Sequence, residues 1–293
     1  MKIFKISQES NIIHELTVTN FENLTHKREP YFIKEEKMKY YAVCPSCNNP
    51  IQIINLYPQK KIGNEKSKPL YAKHYSKDIK NLAKYDQEKY NNCPLKSPIS
   101  FSDNTKQKNK NKSNEILSLI KNYPEILLMC IRTITKINSS NNKFIDMIDK
   151  FIKSEGYYYK YINKFNLPYA FLNMQNNINL YYLKPEELFT EKFKKILESK
   201  SKFFELSNSN QFVKKESIQE YASLEVYTSN HSIKNSEETL KIIIVEIKGK
   251  EKYILDSQKV SIDKFKFIDL TSNDSNYLKD YSLRKMVDKY IIF

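Results

Sequence analysis

The chain has 293 residues, 40% of them hydrophobic and 13% aromatic, with a formal net charge of +15 and a pI of about 9.3. Glycine occurs only at Gly63, Gly156 and Gly249 and tryptophan not at all, which excludes phosphate-cradling loops, the dinucleotide fingerprint and the nucleophile elbow, since each needs glycines at fixed spacing. The apolar content suffices for a core, no apolar run approaches the roughly 18 residues that span a bilayer, and the basic start MKIFKISQESNII lacks the apolar stretch of a secretory signal, so a soluble cytoplasmic protein is expected.

The first hundred residues read as short strands. Segments 39-KYYAVC-44 and 50-PIQIINLY-57 are β-branched or aromatic and are separated by a Cys-Pro-Ser-Cys turn. A polar loop at 58–69 leads to a third strand, 70-LYAKHY-75, and then to a helix over 77–93 with Ile79, Leu82 and Ala83 on one face. Residues 101–115, FSDNTKQKNKNKSNE, are polar and aperiodic, and read as a tether. From Asn114 to Ile137 the apolar spacing turns helical, with Pro124 expected to split the run. A second helix at 143–154 stops before Gly156, the stretch 156–172 is ambiguous, and a third helix covers 185–199. Strands at 222–228, 239–248, 252–256 and 258–263, joined by short polar turns, predict an antiparallel meander, closed by a helix at 280–291. The expected fold class is α+β: a zinc-stapled module over 1–100, a linker over 101–115, and a domain over 116–293 with helices first and antiparallel strands later.

Tetrahedral zinc suits the cysteines. Cys44 and Cys47 are two residues apart, and thiolates at that spacing bind one ion while backbone N–H groups of the turn point at the sulfurs. Asn48 and Asn49 follow, and asparagine tolerates the left-handed backbone such a turn needs. A reducing compartment disfavours a structural disulfide, and a thioredoxin-like pair would open a helix, whereas strands flank this one. Cys93, in a polar context before Pro94, and His74, at the end of its strand, complete a Cys₃His set of structural type, with His26 as an alternative to His74. Cys130 sits in an apolar helix and reads as a core thiol, and His14 reads as structural.

A Cys-x-x-Cys turn followed by a strand with an aromatic-Ala…His element, here 71-YAKH-74, resembles the N-terminal zinc module of competence-protein CoiA-like proteins. The element is one residue longer than the aromatic-Ala-His form of that family, and the resemblance covers about the first hundred residues. It implies Cys44, Cys47 and His74 as ligands and bacterial DNA metabolism or mobile-element biology as the setting. Several members carry a nuclease-like domain.

That implication directs attention to 242-IIIVEIKGK-250. A Glu-x-Lys at the end of a buried strand can hold Mg²⁺ with an acid from an earlier strand, and would give a metal-dependent nuclease. Glu246 and Lys248 share one strand face, with Glu225, Glu237 or Glu238 as the earlier acid. Against this, no Pro-Asp precedes the strand and 248-KGKEK-252 turns into a hairpin rather than a helix. His231 could serve as a catalytic base, although a lone histidine in a polar hairpin reads more simply as exposed. Tyrosines at 157–161 and 181–182 could stack on bases beside lysines, although packing accounts for such clusters more simply.

The charge favours an anionic partner, and nucleic acid is the commonest. Arginine, the usual reader of base edges, occurs only at Arg28, Arg132 and Arg284, so contact through the sugar-phosphate backbone is expected rather than sequence readout. Three functions follow: a zinc-binding protein that contacts nucleic acid through lysines and aromatics, a Mg-dependent nuclease, and an interaction scaffold whose lysines reflect coding bias. The reading leans away from an enzyme.

Overall fold

Short runs of β-branched and aromatic residues, punctuated by asparagine turns, shape the first part of the chain. The computed structural model describes residues 1–57, 68–107, 109–234, 237–272 and 279–291. The protein divides into two units, Met1–Ile99 with Lys264–Asn273, and Ser100–Asp263 with Asp274–Phe293.

In the first unit, β1 (Ile3–Phe4) pairs antiparallel with β2 (His14–Glu15). α1 (Val18–Thr25) follows, capped by the Thr17 hydroxyl, which accepts from the Asn20 N–H at 3.0 Å. β3 (Phe32–Lys34), β4 (Met38–Val43), β5 (Pro50–Ile54) and β6 (Tyr71–His74) form one antiparallel sheet in chain order. Its register sets Val43 opposite Pro50 and Ile51 opposite His74. The end of β4, the start of β5 and the end of β6 therefore meet at one end of the sheet. Most of the loop expected at 58–69 lies outside the described residues.

The helix expected over 77–93 is confined to α2 (Gln87–Asn91). Residues 79–83 instead close a tight turn around left-handed Asn81, with Ile79 and Ala83 exchanging backbone hydrogen bonds at 2.9 and 3.1 Å. Ile79, Leu82 and Ala83 pack on Tyr41 and Val43. Apolar spacings of three and four, which suggest a helical stripe, are met equally well by a turn that tucks these side chains together.

The second unit opens with helices. α3 begins at Lys110, inside the segment expected as a tether, and runs to Asn122, burying Ser113, Ile116 and Ile120. α4 (Pro124–Thr135) starts at the proline, which has no N–H to donate and is tolerated only in the first turn. β7 (Ile137–Asn138) leads to α5 (Asn141–Lys153), where the Ser140 hydroxyl caps the Lys143 N–H at 3.2 Å and Phe144, Met147, Ile148 and Phe151 are buried. Gly156 follows because a Cβ there would lie 2.4 Å from the Phe151 ring. The ambiguous stretch becomes α6 (Leu167–Asn173). Next come β8 (Asn177–Asn179), β9 (Lys184–Pro185) paired with β7, α7 (Thr190–Lys200), and a hairpin of β10 (Phe204–Leu206) and β11 (Phe212–Lys214).

The expected meander is the longest feature. β12 (Ser223–Lys234), β13 (Glu237–Lys248) and β14 (Glu251–Ser261) pair antiparallel in a sheet of order β14-β13-β12-β8. Residues 252–263, expected as two strands, are mostly one, with a register shift opposite Ile244 and Val245. Gly249, at φ +59°, supplies the left-handed position of the β13–β14 turn. β13 is central, and Ile242 to Glu246 are buried on both of its faces. α8 (Lys266–Ser272) belongs to the first unit and α9 (Tyr281–Val287) to the second. Arg284 of α9 donates from Nε and Nη2 to Oε1 of buried Glu125, at 2.8 and 2.6 Å, tying α9 to the first turn of α4. Among the described residues no helix is long and apolar enough to cross a membrane.

The buried phenol of Tyr161 gives the second unit an alkaline limit. Burial, reinforced by Tyr159, pushes its pKa to about 12, against about 10 in the unfolded chain. Between those values the unfolded chain releases a proton that the native state keeps, so stability is complete below pH 10 and falls as the pH rises toward 12. Melting temperatures measured across pH 9–12 should fall through this window. Tyr161→Phe, which has no phenol to ionise, should flatten that part of the curve.

Candidate metal centre

Four donor side chains converge where β4, β5 and β6 share an end. Cys44 immediately follows β4, and the Cys44 N–H donates to the Asn49 carbonyl at 2.8 Å while the Asn48 N–H donates back to the Cys44 carbonyl at 3.1 Å. Asn48 adopts a φ of 59°, the left-handed position that closes the turn before Pro50. This turn presents Cys47, β6 ends in His74, and Cys93 follows α2, its N–H donating to the Tyr90 carbonyl at 3.2 Å.

The ligand atoms of Cys44, Cys47, His74 and Cys93 all lie within 4.8 Å of one another, and the group could hold a metal ion. The Cys44 and Cys93 sulfurs are 3.7 Å apart, and the Cys47 sulfur is 3.3 Å from Nε2 of His74. All three cysteines are buried, and His74 is half-buried. Burial pushes the Cys44 thiol well up, while hydrogen bonds from Cys44 and Cys47 pull Cys93 down to about 3. The neighbouring thiols thus favour deprotonation of Cys93 over Cys44, and a cation binding here would displace the ligand protons.

An outer layer fixes the donors. Asn49 is fully buried and its Nδ2 donates to the Cys47 sulfur at 3.4 Å and to the Asp86 carbonyl at 3.0 Å, while its Oδ1 accepts from the Asp86 N–H at 2.6 Å. Asp86 in turn caps α2, accepting from the Lys89 N–H at 2.9 Å. Asn49 therefore connects the Cys44–Cys47 turn to the helix that delivers Cys93. The sequence marks Asn49 only as a turn residue. Its bridging role is invisible there because Asp86 is 37 residues away. Lys5 steadies the same turn, Nζ donating to Oδ1 of Asn48 at 2.7 Å, and the Tyr90 ring meets the His74 ring edge-on at 5.2 Å.

The other histidines and the fourth cysteine lie elsewhere. His26 is the left-handed residue that ends α1, His14 packs against Phe4 at 5.6 Å, and Cys130 is buried within α4. His231, expected to be exposed, has a buried side chain. Its ring stacks on Phe101 at 3.9 Å, Nδ1 accepts from the Phe101 N–H at 3.2 Å, and Nε2 lies 3.4 Å from Glu238.

The strand-end residues Glu246, Lys248 and Glu225 are not brought together as an acid pair with a lysine. Glu225 pairs with Val245 and Glu246 with Leu224, and alternation along a strand then puts the two carboxylates on opposite faces. Glu225 accepts from Asn177 Nδ2 at 2.5 Å and from the Ser223 hydroxyl at 2.8 Å. Glu246 is fully buried and accepts from the Ser201 hydroxyl at 2.6 Å and from the N–H groups of Lys202 and Phe203 at 2.9 and 3.2 Å. Lys248 pairs with Glu220. Glu237 is exposed, and Glu238 lies beside His231.

No protein-family model, curated protein or solved structure matches the chain.

Two substitutions test these assignments. Asn49→Ala removes the amide that bridges the turn to α2, and metal affinity measured by competition with a chromogenic chelator should fall by about 10- to 100-fold. Glu246→Ala leaves the buried Ser201 hydroxyl and Phe203 N–H, and the partly exposed Lys202 N–H, without their acceptor. At about 1–3 kcal/mol for each buried group left unsatisfied, the two buried donors alone should make denaturant unfolding show a loss of at least about 2 kcal/mol. A variant as stable as the parent would contradict the structural role of Glu246.

Proposed function

We propose that the protein is a zinc-stapled nucleic-acid-binding protein, in which the metal holds the first unit together and lysine-rich surface contacts the sugar-phosphate backbone. The observation that carries the metal part is the buried Cys₃His cluster. Zinc–sulfur bonds of about 2.3 Å and zinc–nitrogen bonds of about 2.0–2.1 Å at tetrahedral angles require sulfurs about 3.8 Å apart and sulfur–nitrogen separations of about 3.5 Å. The separations of 3.7 and 3.3 Å agree with those edges. Three thiolates and an imidazole suit zinc by ligand softness, and four protein ligands close the sphere, as in a structural rather than a catalytic site.

The partner reading is supported by the net charge of +15. The scarcity of arginine argues for phosphate contacts made by lysine, which acts as a point charge without the bidentate geometry that reads guanine. The CoiA-like resemblance of residues 44–74 agrees with a setting in DNA metabolism. The nuclease reading draws no support from the placement of Glu225 and Glu246.

Metal analysis of protein purified without added zinc should find one zinc per chain. Cys93→Ser should lose most of it, and a strong chelator should lower the melting temperature of the parent protein. Binding to labelled single- and double-stranded DNA and RNA should weaken steeply as salt rises from 50 to 200 mM, because each neutralised phosphate releases condensed counterions. No binding at 50 mM salt, or binding indifferent to salt, would overturn the nucleic-acid reading while leaving the metal reading to its own assay.

A further inference from the structure

Tyr182 is held in a backbone conformation that a tyrosine does not favour, and its side chain is left in solvent. Its φ is 62°, where an L-residue brings Cβ against the following carbonyl and where bulky residues are seldom found. The described residues include eleven non-glycine positions of positive φ, and six of these are asparagine (Asn48, Asn55, Asn81, Asn176, Asn210 and Asn230). This protein uses asparagine where it needs a left-handed turn. Tyr182 is the only tyrosine or phenylalanine among the eleven.

The backbone around it is fixed by groups that do not need a phenol. The Tyr182 N–H donates to the Phe212 carbonyl at 2.9 Å, its carbonyl accepts from Gln211 Nε2 at 3.1 Å, and the Leu183 N–H donates to the Leu180 carbonyl at 2.9 Å. Asparagine or glycine would satisfy the same three bonds at less strain. The ring gives the core little in return, since Tyr182 is 59% exposed and its neighbour Tyr181 is 41% exposed. The two rings instead hold each other. Their centroids are 4.1 Å apart at an interplanar angle of 45°, and the Tyr181 hydroxyl donates to the Tyr182 hydroxyl at 3.2 Å. The Tyr181 N–H is itself tied to Oδ1 of Asn179 at 2.8 Å.

Strain kept at a surface position, with little core packing gained by it, directs attention to what the side chain meets from outside. Two adjoining exposed phenols on a pinned turn, tilted 45° to each other, each offer a flat, electron-rich face to an unsaturated ring. On a chain of charge +15, the ligand that combines such rings with negative charge is an unpaired stretch of nucleic acid, whose bases stack on aromatic side chains with little regard to sequence. Exposed Lys184, two residues on, supplies a cation for the adjacent phosphate. The tyrosines at 157–161 make a contrast. Tyr161 is buried and Tyr157, Tyr158 and Tyr159 are half-buried, so that cluster packs.

We propose that Tyr181 and Tyr182 form a base-stacking platform for single-stranded nucleic acid. The proposal rests on the nucleic-acid reading above and names the place where unpaired bases are held. The chain contains no tryptophan, so Tyr182→Trp installs a single indole reporter at the platform. Its emission should be quenched on titration with oligo-dT, while affinity for oligo-dT stays near that of the parent. Tyr182→Asn, which suits the left-handed backbone, should raise the melting temperature and weaken oligo-dT binding on the order of tenfold, as expected for the loss of one stacked base. Tyr181→Ala should weaken it similarly.

If the parent binds oligo-dT but Tyr182→Asn binds equally well and the indole is not quenched, the platform is wrong and the lysine surface alone accounts for binding. If the parent binds double-stranded but not single-stranded DNA, the platform is likewise wrong. If the parent binds no nucleic acid at low salt, the underlying reading falls, and the platform with it.

Discussion

The first unit depends on one convergence: four donor atoms within 4.8 Å of one another, drawn from the turn after β4, the end of β6 and the residue after α2. Its sheet is made of strands of three to six residues, too short to bury much by themselves. The stretch from Tyr75 to Cys93 contains only a five-residue helix and a turn. Bringing Cys44 to Cys93 closes 49 residues of chain, and an ion bound there would offset the entropy of that closure directly, because the site does not exist in the unfolded chain. The register of β4, β5 and β6 and the Asn49–Asp86 bridge serve to deliver the donors to one place. In the proposed zinc-bound protein, folding of this unit and metal binding are one equilibrium.

The second unit meets the same problem with carboxylates. Glu246 gathers Ser201, Lys202 and Phe203 beneath the central strand, and Glu125 holds Arg284. Both are buried carboxylates, Glu246 held through both oxygens and Glu125 through Oε1 alone, and removing a partner from such a group is far worse than never having had the pair. This arrangement suits connectors between segments distant in sequence. It does not suit an acid or base that must be free to meet a substrate. His231, stacked on Phe101 and accepting its N–H, is similarly committed to holding the structure.

How far each feature could be read in advance follows from the range of the interaction that makes it. The Cys₃His cluster was legible because cysteines are few, and their chemistry is carried by residue type and nearby strand context. The split at Pro124 and the turn at Gly249 were legible because each is decided within a residue or two of the backbone. The helix expected over 77–93 failed in the part before α2 because spacing of three and four does not distinguish a helix from a turn that folds Ile79, Leu82 and Ala83 onto Tyr41. The roles of Glu246 and Asn49 were not legible at all. Their partners lie 43 to 45 and 37 residues away, and nothing local announces a carboxylate that accepts from a distant turn.

The origin of the lysines does not weaken the electrostatic side of the proposal. Pairs such as Lys27–Glu22, Lys153–Asp149 and Lys192–Asp256 neutralise part of the surface, yet the formal excess remains +15. A coding bias explains how such an excess arose, but the field it creates attracts polyanions whatever its history. What bias cannot supply is discrimination, because diffuse positive charge draws duplex and single strand alike. Discrimination needs a group that only one of them can satisfy. An exposed ring is such a group, since the bases of a duplex are already stacked on each other and those of a single strand are not. On this reasoning the strain at Tyr182 and the charge of the whole chain are complementary, the charge bringing a strand to the surface and the rings selecting one whose bases are free.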